Sequence, residues 1–221
     1  MQQGGFLIMR NRFDKQLGAL HEALTHMGNL CQQAIALAAK ALTSGQSELT
    51  AQILLCDGEI DQMEREIEGQ CMKLLLCQQP VARDLRVISS ALKMISDMER
   101  IGDQAADIAE ILRYIDGRDF AGVSRLGDMA REAGRMVDEA IGSFVGQDLA
   151  KCREVVAHDD VVDALFDQIK TELIALVASD RQPGLCLDLL MIAKYLERIG
   201  DHAVNIAQWV EYSITGEHVA Q

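Results

Sequence analysis

The chain has 221 residues, of which 49 % are hydrophobic but only 4 % aromatic, with two prolines and a formal net charge of −13. A core must therefore come from Leu, Ile, Val, Met and Ala, and that palette with so little proline reads as all-helical. The acidity weighs against nucleic-acid binding, which needs a basic footprint, and against an anionic membrane surface; it suits cations and basic protein surfaces.

Apolar residues recur at helical spacing through most of the chain, and the pattern predicts six helices. The first runs from about Phe6 to Leu42 and ends near Thr43-Ser44-Gly45. The second covers about Ser47 to Cys77, and Pro80 opens a third that reaches about Ile115, before Asp116-Gly117. The plan then repeats. A fourth helix covers about Phe120 to Val145 and stops at Gly146, and a fifth runs from about Asp148 to Ala178. Pro183-Gly184 marks a turn, and the last helix extends to about Ile214, before Gly216. Both prolines fall between the second and third helix of a half, where a helix start tolerates the missing amide. Gly45, Gly117 and Gly146 stand where C-terminal stops are expected. Short connections make successive helices antiparallel. The predicted architecture is two tandem three-helix bundles, residues 1–117 and 118–221, related by internal duplication; the competing arrangement is one long six-helix bundle. Helices of roughly 30 residues make rods near 45 Å at about 1.5 Å per residue.

The six cysteines are Cys31, Cys56, Cys71, Cys77, Cys152 and Cys186, with no Cys-x-x-Cys pair, so a zinc site of that kind is not indicated. Most occupy apolar helical positions and read as small buried hydrophobes. Phe6-Leu7-Ile8-Met9 is too short for the apolar core of a signal peptide. No apolar run approaches a membrane span. The expectation is a cytoplasmic protein with reduced thiols and no direct membrane insertion.

The duplication is written most plainly in the pentapeptide Glu-Arg-Ile-Gly-Asp, which occurs at Glu99–Asp103 and again at Glu197–Asp201. Each copy places two carboxylates four residues apart on one helix. The preceding helix of each half carries another such pair, Asp57 with Asp61 and Asp159 with Asp163. Asp107 continues the first motif; Asn205 stands at the corresponding place in the second. With Gln79 as the turn of the first hairpin, its two pairs lie level. With Gln182 as the turn of the second, the match is looser and Asp163 and Asp201 align. On the third helix Ala91, Met94, Met98, Gly102, Ala105 and Ala109 form the apolar stripe, with Glu99 at its edge and Asp103 and Asp107 drifting outward. On the second helix Asp57, Asp61, Glu64 and Glu68 run beside Ile53, Ile60, Met63 and Ile67. The carboxylates should therefore line an accessible rim.

Like charges at this spacing repel by a few tenths of a kcal/mol per pair, and a hard cation such as Mg, Mn, Ca or Fe(III) would remove the repulsion. The competing reading is a solvated acidic face neutralised by Arg65, Arg100 and Arg198. Gly102 and Gly200 each cost about 1 kcal/mol in a helix interior, which points to close helix packing. His158 and His202 flank the motifs and read as surface residues. No Glu-x-x-His, phosphate loop or nucleophile constellation is present.

The two Glu-Arg-Ile-Gly-Asp copies, Asp57-Gly58-Glu59-Ile60-Asp61 and Gln79-Pro80-Val81-Ala82-Arg83-Asp84-Leu85-Arg86 together resemble the PhoU family, from about Asn11-Arg12-Phe13 to about Tyr212. The second half departs in Asp159-Asp160-Val161-Val162-Asp163 and in Arg181-Gln182-Pro183-Gly184. The resemblance implies paired three-helix bundles, a homodimer without catalysis, and a negative regulator of phosphate uptake and phosphate-starvation signalling. It implies two partners, the ATPase subunit of a phosphate ABC transporter and a sensor histidine kinase. It also implies metal ions (Fe, Mn, Mg or Zn) on Asp57, Asp61, Glu99, Asp103, Asp159, Asp163, Glu197 and Asp201; Asp107, which continues the first motif, is a further candidate ligand. A metal-dependent hydrolase or metal store using the same clusters is the alternative.

Overall fold

A computed structural model describes residues 2–44, 48–77, 80–115, 125–179 and 182–217, with side chains from Phe13 onward except that of Cys77. Six helices carry these residues: α1 (Gln2–Ser44), α2 (Leu49–Cys77), α3 (Ala82–Tyr114), α4 (Arg125–Gly146), α5 (Leu149–Ala178) and α6 (Pro183–Thr215). No strand occurs among the described residues. The expected stops at Gly45 and Gly117, the proposed starts at Ser47 and Phe120, the Gln79 turn and the boundary between residues 117 and 118 lie outside the described residues.

Local chemistry sets the described ends. Val81 is the extended residue before α3, so Pro80 stands just outside that helix. Pro183 occupies the first turn of α6, after Gln182 in a left-handed conformation at φ 44°. Gly146 is the last residue of α4, but the left-handed residue is Gln147 (φ 50°), not the glycine. Asp148 then caps α5, accepting from the amides of Ala150 and Lys151 at 2.9 and 3.3 Å. Gly216 ends α6 at φ 79°, its amide donating to the Tyr212 carbonyl, as a left-handed C-cap requires.

Each half is a three-helix bundle, α1–α3 and α4–α6, and α2–α3 and α5–α6 are its hairpins. The two bundles pack along one another through α1 and α3 on one side and α4 and α6 on the other. The stripe Ala91, Met94, Met98, Gly102, Ala105 and Ala109 is buried along its whole length. Ile53, Ile60 and Ile67 of α2 are buried too, and Met63 is partly so. Cys31, Cys56, Cys71, Cys152 and Cys186 are buried and form no disulfide, and burial pushes Cys71 up to about 11.

The halves meet as two copies of one surface would, each giving what it receives. A Cβ on Gly28 would fall 2.8 Å from Ile141, and one on Gly134 would fall 3.2 Å from Ile35. Between these reciprocal contacts Gln32 donates to Asp138 at 2.6 Å, and beyond the first of them His21 stacks on Phe144 with centroids 4.4 Å apart. The α3–α6 contact is reciprocal as well. Asp97 accepts from Asn205 at 3.1 Å, while the Tyr195 hydroxyl donates to Asp107. Asp97 and Tyr195 stand two residues before Glu99 and Glu197; Asp107 and Asn205 stand four after Asp103 and Asp201. This pairing is the isologous contact of a two-fold dimer, built inside one chain. It runs the paired helices antiparallel and so places the two hairpin tips at opposite ends of the molecule.

Candidate metal centres

Gly102 lets α3 come close to α2. A Cβ there would lie 3.0 Å from Asp57 Oδ1 and 3.1 and 3.3 Å from Ile60 Cδ1 and Cγ2. Gly200 does the same in the second half, with Asp159 Oδ1 at 3.4 Å and Val162 Cγ1 at 3.5 Å from its ideal Cβ. The glycine of each pentapeptide thus seats the aspartate of the preceding helix, and the two hairpins share one register. The looser match expected for the second hairpin came from centring it on Gln182, which is the residue that abuts α6.

In the first half Asp57, Asp61 and Asp103 each offer an oxygen, and the three lie within 4.8 Å of one another. Asp57 Oδ1 is buried with no hydrogen-bond partner among the described residues. Burial, reinforced by the charges of Asp61, Asp103 and Asp107, raises Asp57 to about 6. Glu99 is also raised, by burial and then by Asp103, with Glu64 and Asp61 adding to it against Arg100. Asp107 belongs to two environments. Its charge is felt at Asp57, yet its carboxylate accepts from Tyr195 of α6. Three arginine contacts partly offset the charge: Arg65 lies 3.8 Å from Asp61, and Arg100 lies 3.5 Å from Glu99 and 3.4 Å from Asp103.

In the second half burial, with Asp163, Asp201, Asp160 and Glu197 close by, raises Asp159 to about 6. Asp163 is raised by burial and by Glu197 and Asp201, while Lys194 acts in the opposite direction. Lys194 also forms an ion pair with Glu197. No triple as tightly gathered as that of the first half occurs here among the described residues.

A buried, unpartnered carboxylate oxygen beside two more carboxylates is unfavourable without a counter-charge. The first donor set is all hard oxygen and opens to solvent on one side, which fits Mg, Mn, Ca or Fe(III). Sequence reasoning found the eight motif carboxylates but did not count Glu64 and Asp160 among the site residues. It also placed the flanking histidines on the surface. Both are largely covered: His158 meets Glu132 of α4 at 2.7 Å, and His202 meets Asp97 of α3 at 2.9 Å. Those partners sit on other helices, so no helical wheel reveals them.

Two three-helix bundles in tandem, each with carboxylates facing across its second hairpin, define a class of duplicated, all-helical proteins. The PhoU domain model matches the chain twice, at residues 24–112 and 126–210, and the chain belongs to the PhoU family. It is 34 % identical over 215 residues to the phosphate-specific transport system accessory protein PhoU homolog of Clostridium acetobutylicum, covering 96 % of this chain and 98 % of that one. It is 34 % identical to the homolog of the same name from Pseudomonas aeruginosa, over 94 % of this chain and 87 % of the relative. The crystal structure of PhoU from Pseudomonas aeruginosa superposes with a TM-score of 0.88 at 33 % identity, covering 93 % of this chain and 100 % of that one. The phosphate transport system regulatory protein PhoU from Streptococcus pneumoniae gives a TM-score of 0.88 at 28 % identity, covering 95 % and 100 %.

Proposed function

We propose that this protein is an accessory regulator of a phosphate-specific transport system, acting as a non-catalytic adaptor that restrains phosphate uptake and phosphate-starvation signalling. The observation that carries the reading is the double match of the PhoU domain, one in each half, together with near end-to-end similarity to relatives named as accessory proteins of that system. The proposed partners are the ATPase subunit of the phosphate ABC transporter and a sensor histidine kinase, met by a homodimer at the cytoplasmic face. No helix among the described residues is long and apolar enough to cross a membrane, which accords with a partner that docks on transporter and kinase.

Two features support docking. Met72, Leu76, Val81 and Leu85 are exposed at the tip of the α2–α3 hairpin, and Ile174, Val177, Leu187 and Met191 are exposed toward the tip of α5–α6. Clustered exposed apolar side chains mark interaction surfaces, and the reciprocal packing of the halves puts one at each end. The acidic clusters would hold hard cations on Asp57, Asp61, Glu99 and Asp103, and on Asp159, Asp163, Glu197 and Asp201, with Asp107 at the edge of the first. A bound cation supplies charge neutralisation there; the carboxylates fix the spacing of α2 against α3 and of α5 against α6.

The test is binding of the purified protein to the purified transporter ATPase and to the kinase's cytoplasmic region from the same organism. Saturable binding to either, weakened by Leu76→Asp or Ile174→Asp, supports the adaptor. Absence of binding to both, with intact helicity, overturns it.

A further inference from the structure

The two carboxylate clusters share a motif but differ in what surrounds them. Three residues after Asp61 and Asp163 stand Glu64 and Phe166; seven after them stand Glu68 and Lys170; three before Glu99 and Glu197 stand Ser96 and Lys194. At these three places the first half carries two acids and a serine, and the second a phenylalanine and two lysines. Arg100 and Arg198 occupy the same position in both copies, but Arg100 lies 3.5 Å from Glu99 and 3.4 Å from Asp103, whereas the charge of Arg198 is felt at Asp107 and Tyr195. Arg65 near Asp61 is outweighed by Glu64 and Glu68, while Asp160 adds one acid to the second cluster.

The lysines of the second half are held in place. Phe166 is partly buried against the core. The ammonium of Lys170 lies 5.5 Å from its ring centroid and that of Lys194 lies 5.6 Å from it, within cation–π range. Lys170 turns its charge to Asp167 at 2.7 Å, whereas Lys194 pairs with Glu197, one of the motif carboxylates. The first cluster has the tight oxygen triple and the unpartnered Asp57 oxygen; the second has a lysine lodged against it.

We infer that Lys194, seated on Phe166, is the resident counter-ion of the second cluster, so that the two clusters fill in order. The first has only the exposed Arg65 and Arg100 to move aside, standing 3.8, 3.5 and 3.4 Å from its carboxylates; the second takes a cation only by displacing the ammonium that is paired directly with Glu197. This rests on the cation-binding reading of the clusters given above. It makes the chain a graded cation binder despite its duplicated motif, and Lys194 a selectivity residue that is not itself a ligand.

The experiment is calorimetric titration of metal-stripped protein with Mn(II), comparing wild type, Lys194→Met and Ser96→Lys. Methionine keeps an apolar stem on Phe166 without the charge, and Ser96→Lys puts a lysine at the exposed matching site of the first half. Wild type should show a tighter and a weaker class of site, the tighter lost in Asp103→Ala and the weaker in Asp201→Ala. Lys194→Met should tighten the weaker class about tenfold, and Ser96→Lys should weaken the tighter class by a similar factor, the order expected for one unit charge a few ångströms from a half-exposed cation. Two equal classes in wild type, unmoved by either lysine exchange, overturn the graded order while leaving the cation sites in place. No Mn(II) binding by wild type overturns the cation-binding reading and this inference with it. Far-UV circular dichroism on each variant separates loss of binding from loss of fold.

Discussion

The same substitution in the two copies of Glu-Arg-Ile-Gly-Asp should have opposite effects. Glycine in a helix interior costs about 1 kcal/mol relative to alanine, so Gly→Ala stabilises wherever the methyl group fits. At Gly200 it fits: the nearest atoms to an added Cβ are Asp159 Oδ1 at 3.4 Å, Val162 Cγ1 at 3.5 Å and Met136 Sδ at 3.6 Å, ordinary contact distances. At Gly102 it does not. The new methyl would stand 3.0 Å from Asp57 Oδ1 and 3.1 Å from Cδ1 of Ile60, a side chain with no exposed surface. Overpacking of this kind costs about 1–3 kcal/mol. Gly200→Ala should therefore gain about 0.5–1 kcal/mol, and Gly102→Ala should lose about 1 kcal/mol after its propensity gain is offset by the clash. Urea unfolding of both variants beside wild type measures this. For unchanged slopes the midpoints should separate by roughly 0.5–1 M, which corresponds to several degrees in Tm for a chain of this size. Gly102→Ala should also weaken cation binding, because Asp57 is the group that must yield. Two midpoints shifted in the same direction by similar amounts would refute the packing argument.

Other outcomes follow from the same contacts. Asp57 and Asp159 titrate near 6 in the fold, above the roughly 3.9 of an unfolded aspartate. The folded state therefore holds more protons between about pH 4 and 6, and metal-free protein loses stability as pH rises through that window and does not regain it above. Screened by solvent, the loss should be about 1–2 kcal/mol per group; chelator-treated protein should unfold at a lower urea concentration at pH 7.5 than at pH 4.5, and a midpoint that rises with pH would contradict the assignment. Tyr195→Phe removes the hydroxyl that donates to Asp107 across the α3–α6 contact, and should cost about 1–2 kcal/mol in the same unfolding assay. Gly216→Ala places a side chain at φ 79° and 3.3 Å from the Arg86 guanidinium carbon, so it should lower Tm by a few degrees, about 1 kcal/mol or more; an unchanged Tm would show that the end of α6 is free to rearrange.

The helices were legible because an aliphatic core leaves a clear period. The stripe from Ala91 to Ala109 is apolar in sequence and buried in the fold, and Pro80, Pro183 and Gly216 lie at or beside helix ends. The first hairpin's register could be read from its turn; the second could not, because Gln182 is the end of its connection and not the centre. What lay beyond reach was the meeting of the halves. Asp97 carries no motif, yet it holds His202 and Asn205. Asp107 looks like a further turn of the carboxylate motif, yet it answers to Tyr195. These pairings join residues about a hundred positions apart on faces that each helix alone presents as ordinary polar surface. The glycines were the one sequence signal of close approach. Gly102 and Gly200 pointed to tight packing, and the structure names Asp57 and Asp159 as the groups packed against them.

The most direct test of the carboxylate clusters as cation sites is the metal content of protein purified without an affinity tag, measured by elemental analysis beside the Asp103→Ala/Asp201→Ala double variant. Wild type should carry stoichiometric hard metal, lost in the double variant while helicity is retained. No metal in the wild type, even after incubation with Mn, Fe and Mg, would contradict the cation-site reading and leave the acidic rims as surfaces for basic partners alone.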